Sequence, residues 1–411
     1  MLTLPYFLAG TNYEKLWTKT LILECARIVP MNKIVLTLDP RGINLIDPTA
    51  THFRLNEYGF FLEKLSGIDK YSLVTFSSSK EKYKKSIKLN HVQIFLVSRP
   101  TFNAVKFAIS SFKTIKRNDF KVKLLFATDP WESFVSAYLL RILLKQWIPI
   151  YVQIHGDIGH PMWKKINLIN WFRYYFAKVT LPRCDGIRVV SAGQLSNLRT
   201  NFNIAKLNSF IIPIPSKISL EENNQVDLRP KTIGFVGRIH RDKGIWDFVK
   251  LIRILNSLNH DFDVLIVGDG KLRKKFLKKL NKLLDVDRVK FLGYIPQNEM
   301  SNVWSQIGVL VSTSRIESYG MVLRESLING VPIWTTKTSG SEDLLRGKYH
   351  HQGIKFIDFS DNFKNIGSDL ENLFRISVST SLKRQIRYNN NTYSKKLAKS
   401  WLELIKVVEI K

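Results

Sequence analysis

Two glutamates, Glu317 and Glu325, stand in the segment SRIESYGMVLRESLINGVPIW with seven residues between them. That spacing covers a little over two helical turns. Both carboxylates therefore serve one cleft only if Glu317 lies on a loop before the helix that carries Glu325. A carboxylate accepts two hydrogen bonds from a vicinal diol, which suits a ribose or a hexose. Gly320, between them, permits close backbone approach. Two surface glutamates on an amphipathic helix are the plainer alternative. It explains Glu325 poorly, because that face also carries Met321, Val322 and Ile328.

A second group lies upstream, in VGRIHRDKG. Gly237, Arg238, Lys243 and Gly244 fall between the end of an apolar run and the start of a helical pattern. Gly237 lets backbone come near a ligand. Arg238 and Lys243 put cations beside a helix N-terminus, whose free N–H groups already favour an anion. A diphosphate fits this arrangement. One cation at about 4 Å from a phosphate charge is worth on the order of 4 kcal/mol at an effective dielectric of about 20. An ordinary strand-to-helix turn with solvated charges stays open as the alternative. His155, in IHGD, ends another apolar run. Gly156 and Asp157 beside it favour a site over a satisfied core histidine, although Asp157 could instead cap the next segment. His155 and His160 have no cysteine or carboxylate set at metal-ligand spacing, so no metal and no other cofactor is expected.

These residues need strands to hold them at one edge. In the second half short apolar runs alternate with helical patterns: strands over 231–239, 263–270, 289–295, 307–314 and 332–336, and helices over 244–258, 271–284, 298–306 and 318–330. Continuous apolar strands alternating with helices predict a parallel sheet covered on both faces. The first half alternates less cleanly, with strands over 33–39, 71–77, 93–98, 123–128, 148–155 and 186–191 and a helix over 131–146. The expected fold is α/β, with two doubly wound Rossmann-like domains facing a central cleft. The join falls near 212–230, a stretch with prolines and no periodicity. The expected division is 1–215, 216–391 and a terminal helix over 392–411 that packs back on the first domain.

The 411 residues carry 63 Lys and Arg against 34 Asp and Glu, a net charge of +29. That excess favours an anionic partner: nucleic acid, phospholipid headgroups or a phosphorylated substrate. No helix-turn-helix, zinc-finger or RNA-recognition signature is visible, which disfavours nucleic acid. Two cysteines, Cys25 and Cys184, require no disulfide framework and suit a reducing compartment. The opening MLTLPYFLAG lacks the basic start of a signal peptide, and no apolar run of about 18 residues predicts a membrane span. The expected location is cytoplasmic. Two stretches, 101–121 and 162–183, mix cations with aromatic residues. Such a pattern suits an anionic membrane surface, here the inner face of the cell membrane. A domain helix with one packed and one solvated side is the other reading.

Taken in order, VGRIHRDKG, IVGDG, VKFLGYIPQNEM and STSRIESYGMVLRESLINGVPI resemble glycosyltransferase family 4, the retaining enzymes of GT-B fold. LLFATDPWESFVSAYLL, YVQIHGDIG and CDGIRVVS extend the resemblance through the first half. It implies a hexosyltransferase that moves a sugar from a nucleoside-diphosphate sugar to a glycan or lipid-linked acceptor in cell-envelope polysaccharide synthesis. By the same resemblance Arg238 and Lys243, with Gly237, bind the donor diphosphate, and Glu325 holds the ribose. Glu317, with Ser318, Tyr319 and Gly320 after it, holds the hexose hydroxyls. His155 lies close to the sugar, and Gly10 of LAGT stands for a glycine-rich loop near the phosphates. The chain departs from the family at Thr313, where proline is common, and at Ser339 and Asp343 of SGSED, where glycine and glutamate are common. A nucleotide-sugar epimerase of the same fold and a non-catalytic basic membrane- or RNA-binding protein are the competing readings.

Overall fold

The computed structural model describes residues 33–42, 48–67, 71–79, 86–98, 104–215, 230–345, 353–359, 365–386 and 390–409. Eight of its strands form the first sheet: β1 (Lys33–Asp39), β2 (Ser72–Ser79), β3 (Ser86–Lys88), β4 (Val92–Ser98), β5 (Lys121–Ala127), β6 (Ile150–Gln153), β7 (Gly186–Val189) and β8 (Asn208–Ile211). Their order is β3-β4-β2-β1-β5-β6-β7-β8, and β3 alone runs antiparallel to its neighbour among these described strands. The second sheet holds β9 (Thr232–Val236), β10 (Asp263–Val267), β11 (Val289–Gly293), β12 (Val309–Ser312), β13 (Ile333–Thr335) and β14 (Ile354–Phe356), in the order β11-β10-β9-β12-β13-β14 and parallel throughout.

The central strands are apolar on both faces because both faces are covered. In β1, Ile34, Val35, Leu36 and Leu38 are fully buried. One face of the first sheet packs against helices Ala104–Arg117, Glu132–Leu144, Leu168–Thr180 and Ala192–Asn201, through Phe107, Phe134, Ala137 and Tyr174. The other face is closed by helix Pro48–Ser66 and the last helix, Asn390–Glu409. Leu55, Tyr58 and Leu62 recur at helical spacing and meet Tyr393, Leu397 and Trp401 of that last helix. The Trp401 ring stands edge-on to Tyr58 at 6.1 Å and tilted to Phe126 at 5.2 Å. The second sheet is covered by helices Ile245–Ser257, Arg273–Leu280 and Ile366–Arg375 on one side and by Ser301–Trp304, Met321–Ile328 and Thr380–Ile386 on the other.

In each sheet the chain reverses its direction of growth once near the centre. β1 has β2 on one side and β5 on the other; β9 has β10 on one side and β12 on the other. Loops leaving two such neighbouring strands diverge, and the crevice between their carboxyl ends takes ligands. In the second sheet the segments that diverge are 237–244 and 313–320. In the first sheet they are 40–42 and 128–131.

Candidate active site

The segment after β9 turns sharply. Gly237 has φ +148°, and a Cβ there meets no atom within 4 Å, so the space beside it is open. A short 3-10 turn, Arg241–Lys243, follows, and helix Ile245–Ser257 starts after Gly244 at φ +63°. A Cβ on Gly244 would lie 1.7 Å from the Thr313 carbonyl oxygen, so only glycine lets this helix start against the loop after β12. Thr313 uses its own side chain at the same contact: its Oγ1 donates to the Gly244 carbonyl at 2.9 Å. That bond gives the departure from proline a structural role.

The loop after β12 carries the first glutamate. Lys243 Nζ lies 2.5 Å from Glu317 Oε2, and both side chains are about three-quarters buried, at 23% exposure each. The cation read as a diphosphate ligand and the carboxylate read as a sugar ligand thus face each other across the crevice. Arg238 is placed differently. Its side chain is 71% exposed and pairs with Asp242 at 2.9 Å. Asp242 also meets His240 Nδ1 at 2.7 Å.

Read from sequence, the helix begins at 318; it begins at Met321, after Gly320 at φ +73°. Ser318 and Tyr319 therefore sit with Glu317 on the loop. Glu325 lies within the helix, buried, and Gln297 Nε2 donates to its Oε1 at 2.9 Å. Tyr319 is buried, with the Arg324 guanidinium 3.6 Å from its ring centroid. Its side chain packs inside the domain, which leaves its backbone for any ligand. Ser318 is engaged across the domains: its Oγ donates to the His155 carbonyl at 2.6 Å, and its carbonyl accepts from Ser191 Oγ at 2.6 Å.

Ser318 thus joins the carbonyl of His155, just beyond β6, to the Glu317 loop. The imidazole contacts the Gln153 side-chain amide through Nε2. The residue is exposed at the mouth of the cleft, with protein atoms crowded around the ring. Desolvation by that crowding first, then the nearby guanidiniums of Arg188 and Arg54, lower its pKa to about 3. A neutral imidazole is a hydrogen-bonding group at physiological pH, not a cation.

A second seam holds the domains together. Asp157 Oδ2 accepts from Ser339 Oγ at 2.5 Å and from Asn197 Nδ2 at 2.9 Å. Burial pushes the Asp157 carboxyl up, and these two bonds pull it back. Asp343 accepts from the Ala192 amide at 3.2 Å and pairs with Arg324 at 2.9 Å. Ser339 and Asp343, both departures from the family pattern, are therefore seam residues. Gly340 between them is fixed by space, since a Cβ would lie 2.5 Å from the Tyr319 carbonyl carbon.

Gly10 lies outside the described residues. Within them, the turn that leaves the first strand into the cleft is Pro40–Gly42, after Asp39. Asp39 accepts from Ser77 Oγ at 2.9 Å, and Arg41 pairs with Asp129 at 2.5 Å. Sequence reading missed these residues. The signal was present: an apolar strand, KIVLTLD, ends in an acid followed by Pro-Arg-Gly.

The two α/β sheet domains and the cleft between them have the GT-B fold. The lipopolysaccharide outer core galactosyltransferase WaaB superposes with a TM-score of 0.62 at 15% identity, covering 92% of this chain and 99% of that one. Residues 216–362, most of the second domain, match the family model described as Glycosyl transferases group 1. The 2-deoxystreptamine glucosyltransferase of Streptomyces kanamyceticus is 34% identical over 113 residues, 28% of this chain and 29% of that one. The N-acetylgalactosamine-N,N'-diacetylbacillosaminyl-diphospho-undecaprenol 4-alpha-N-acetylgalactosaminyltransferase of Campylobacter jejuni is 27% identical over 190 residues, 45% of this chain and 50% of that one. The alignment to the Streptomyces relative spans less than a third of its length.

Proposed function

We propose that this protein transfers a hexose-type sugar from a nucleoside-diphosphate sugar to a glycan or lipid-linked acceptor, with retention of anomeric configuration, in the building of cell-envelope polysaccharide. The observation that carries the reading is the Lys243–Glu317 pair at the switch point between β9 and β12. In this reading the donor diphosphate lies between Lys243, Arg238 and the amides that open the helix after Gly244. Glu325 receives the ribose hydroxyls, and Glu317 the hexose hydroxyls. The acceptor oxygen bonds to the anomeric carbon as the bond from that carbon to the phosphate oxygen breaks. The acceptor's proton passes to the departing phosphate. The negative charge that develops there is met by groups already in place. His155, neutral and within the cleft, offers the sugar a hydrogen bond. The names of the relatives agree in class: one is a glucosyltransferase, and the name of the other includes diphospho-undecaprenol. The test is incubation with a panel of nucleotide sugars. Release of nucleoside diphosphate that depends on an added acceptor supports transfer. Isomerised donor supports the epimerase, and inertness to the whole panel removes the proposal.

A peripheral membrane face is part of the same reading. Among the described residues, no helix is long and apolar enough to cross a membrane. Helix Leu168–Thr180 turns Tyr174, Ala177 and Thr180 inward and leaves Leu168, Ile169, Phe172, Tyr175, Phe176 and Val179 exposed. Lys165, Lys178 and Arg183 are exposed in the same segment. Exposed apolar residues among cations fit an anionic bilayer surface. The segment 101–121 differs: in helix Ala104–Arg117, Phe107 is buried and Phe112 packs against the core. That helix fits the ordinary packed reading.

A further inference from the structure

A cavity of about 350 Å³ opens beside His155, lined from both domains. Arg54, Gln153, His155, Arg188 and Tyr393 come from the first domain and the last helix, and Met321 from the second domain. Arg188 is the unusual member. It stands in β7, where all four residues are buried, and it is itself 1% exposed. Its Nε and Nη2 donate to the Ile212 carbonyl at 3.1 and 2.8 Å, and its guanidinium lies 5.0 Å from the Tyr393 ring centroid. Nη1 has no partner among the described residues.

A buried guanidinium is costly unless a counter-charge or a full set of acceptors meets it. The chain supplies such partners to its other deeply placed arginines: Arg324 has Asp343 at 2.9 Å and Arg141 has Asp185 at 3.2 Å. Arg188 has one carbonyl and a ring face. Arg54, on helix Pro48–Ser66, brings a second guanidinium to the same cavity. Arg41 and Asp39 also line it; Arg41 is matched by Asp129, and Asp39 is the carboxylate among the described lining residues. Among the described lining residues the two guanidiniums of Arg54 and Arg188 outnumber the single carboxylate of Asp39, and His155 lines the same cavity.

We propose that this cavity is a subsite for an oxyanion of the acceptor, a phosphoryl or carboxylate group, held by the free Nη1 of Arg188 and by Arg54. The inference rests on the transferase reading above and adds the class of acceptor: an anionic one, with its charged group close to the hydroxyl that receives the sugar. A guanidinium with one edge tied to Ile212 presents a fixed donor, which suits a planar or tetrahedral oxyanion.

The test separates this subsite from the donor site by working in an Arg238→Gln, Lys243→Gln background. Calorimetric titrations with inorganic phosphate, glucose 1-phosphate, glucuronate and glucose are made at physiological ionic strength, where exposed charges are screened. Three further substitutions are compared in that background: Arg54→Gln, Arg188→Gln and, as a charge-matched control on an exposed helix, Lys274→Gln. The expected result is saturable anion binding in the background and in the control, weakened at least tenfold by Arg54→Gln and by Arg188→Gln. Neutral glucose is expected to bind more weakly than either sugar acid. Glucose 1-phosphate bound above glucuronate assigns a phosphoryl group; the reverse assigns a carboxylate. No saturable anion binding, equal binding of glucose, or affinities in both arginine variants equal to the control overturn the proposal. If Arg188→Gln fails to fold by circular dichroism, Arg54→Gln decides alone. Nucleoside diphosphate binding to the native chain, measured in parallel, reports on the transferase reading separately.

Discussion

Lys243 Nζ and Glu317 Oε2 meet at 2.5 Å across the crevice between β9 and β12. The two side chains come from loops that leave neighbouring strands, and each partly neutralises the other. In the proposed reading, a diphosphate entering here would replace one anionic partner of Lys243 by another and release Glu317 toward hydroxyl groups. The pair would then link phosphate binding to sugar binding within one contact.

Lys243→Ala is expected to weaken donor binding more than Arg238→Ala. Lys243 is largely buried in the crevice, whereas Arg238 is 71% exposed and tied to Asp242. Truncating one partner of a buried hydrogen-bonded charge pair costs about 2–5 kcal/mol. The partly open position of Lys243 puts its loss near the lower end, roughly 30-fold in kcat/KM on the scale of about 1.4 kcal/mol per tenfold. Steady-state kinetics on both variants checks the order; wild-type values in both would remove the phosphate assignment.

Glu325→Gln and Glu317→Gln are expected to fail in different ways. Glu325 is buried beside Gln297, so its change should lower the affinity for free nucleoside diphosphate. Glu317→Gln frees Lys243, so nucleoside diphosphate should bind at least as well while turnover of sugar-bearing donor falls. Equal losses of nucleoside diphosphate affinity, by calorimetry, would contradict this division.

His155 sets a pH expectation. Its pKa is lowered to about 3, so it binds a proton only as the pH falls far below the ordinary histidine value of about 6.5. Between those values the unfolded chain binds the proton and the folded chain does not, so acidification through that window lowers stability. The rate profile should carry no limb from His155 between pH 5 and 9. His155→Gln should reduce turnover without changing the shape of the profile. A limb near pH 6.5 that disappears in His155→Gln would show that the imidazole titrates during catalysis.

Activity is expected to persist after chelation, because in the proposed site Lys243, Arg238 and the helix start would meet the departing diphosphate. Assays in EDTA check this. Loss restored by one divalent ion would assign the charge to a metal.

Binding to anionic liposomes is expected to run through helix Leu168–Thr180. Each cation near an anionic surface contributes about 1 kcal/mol, and the apolar term of Leu168, Ile169 and Phe172 is independent of salt. Co-sedimentation should therefore fall but not vanish as salt rises. Replacing Leu168, Ile169 and Phe172 with Ser should remove the salt-resistant part. A variant that sediments like the native chain would place the surface elsewhere.

Much of this was legible in the sequence, for physical reasons. Strands buried on both faces read as continuous apolar runs, and KIVLTLD, at 33–39, has the bounds read from it. The strands read poorly are the short outer ones: SIK of β3, NSFI of β8 and IKF of β14 bury too little to leave a pattern. The helix containing Glu325 reads as starting three residues too early, because Gly320 in the left-handed region delays its start to Met321. Arg188 was invisible as a residue lining the cavity beside His155. An arginine in a strand reads as solvated, and its burial comes from the last helix, some two hundred residues later, which brings Tyr393 over it. Ser339 was legible as a departure and not as a seam residue, since its partner Asp157 lies in the other domain.

The most direct test of the account is a thermal-shift titration with UDP, GDP and ADP on the native chain and on a Lys243→Ala, Glu325→Gln double variant. A ligand that binds only the folded state raises apparent stability by mass action, about 2.7 kcal/mol at a hundredfold excess over Kd. The account requires that at least one of the three nucleotides raises the native midpoint in a saturable way and that the double variant loses the response. A native chain indifferent to all three, or a double variant that responds equally, would contradict it.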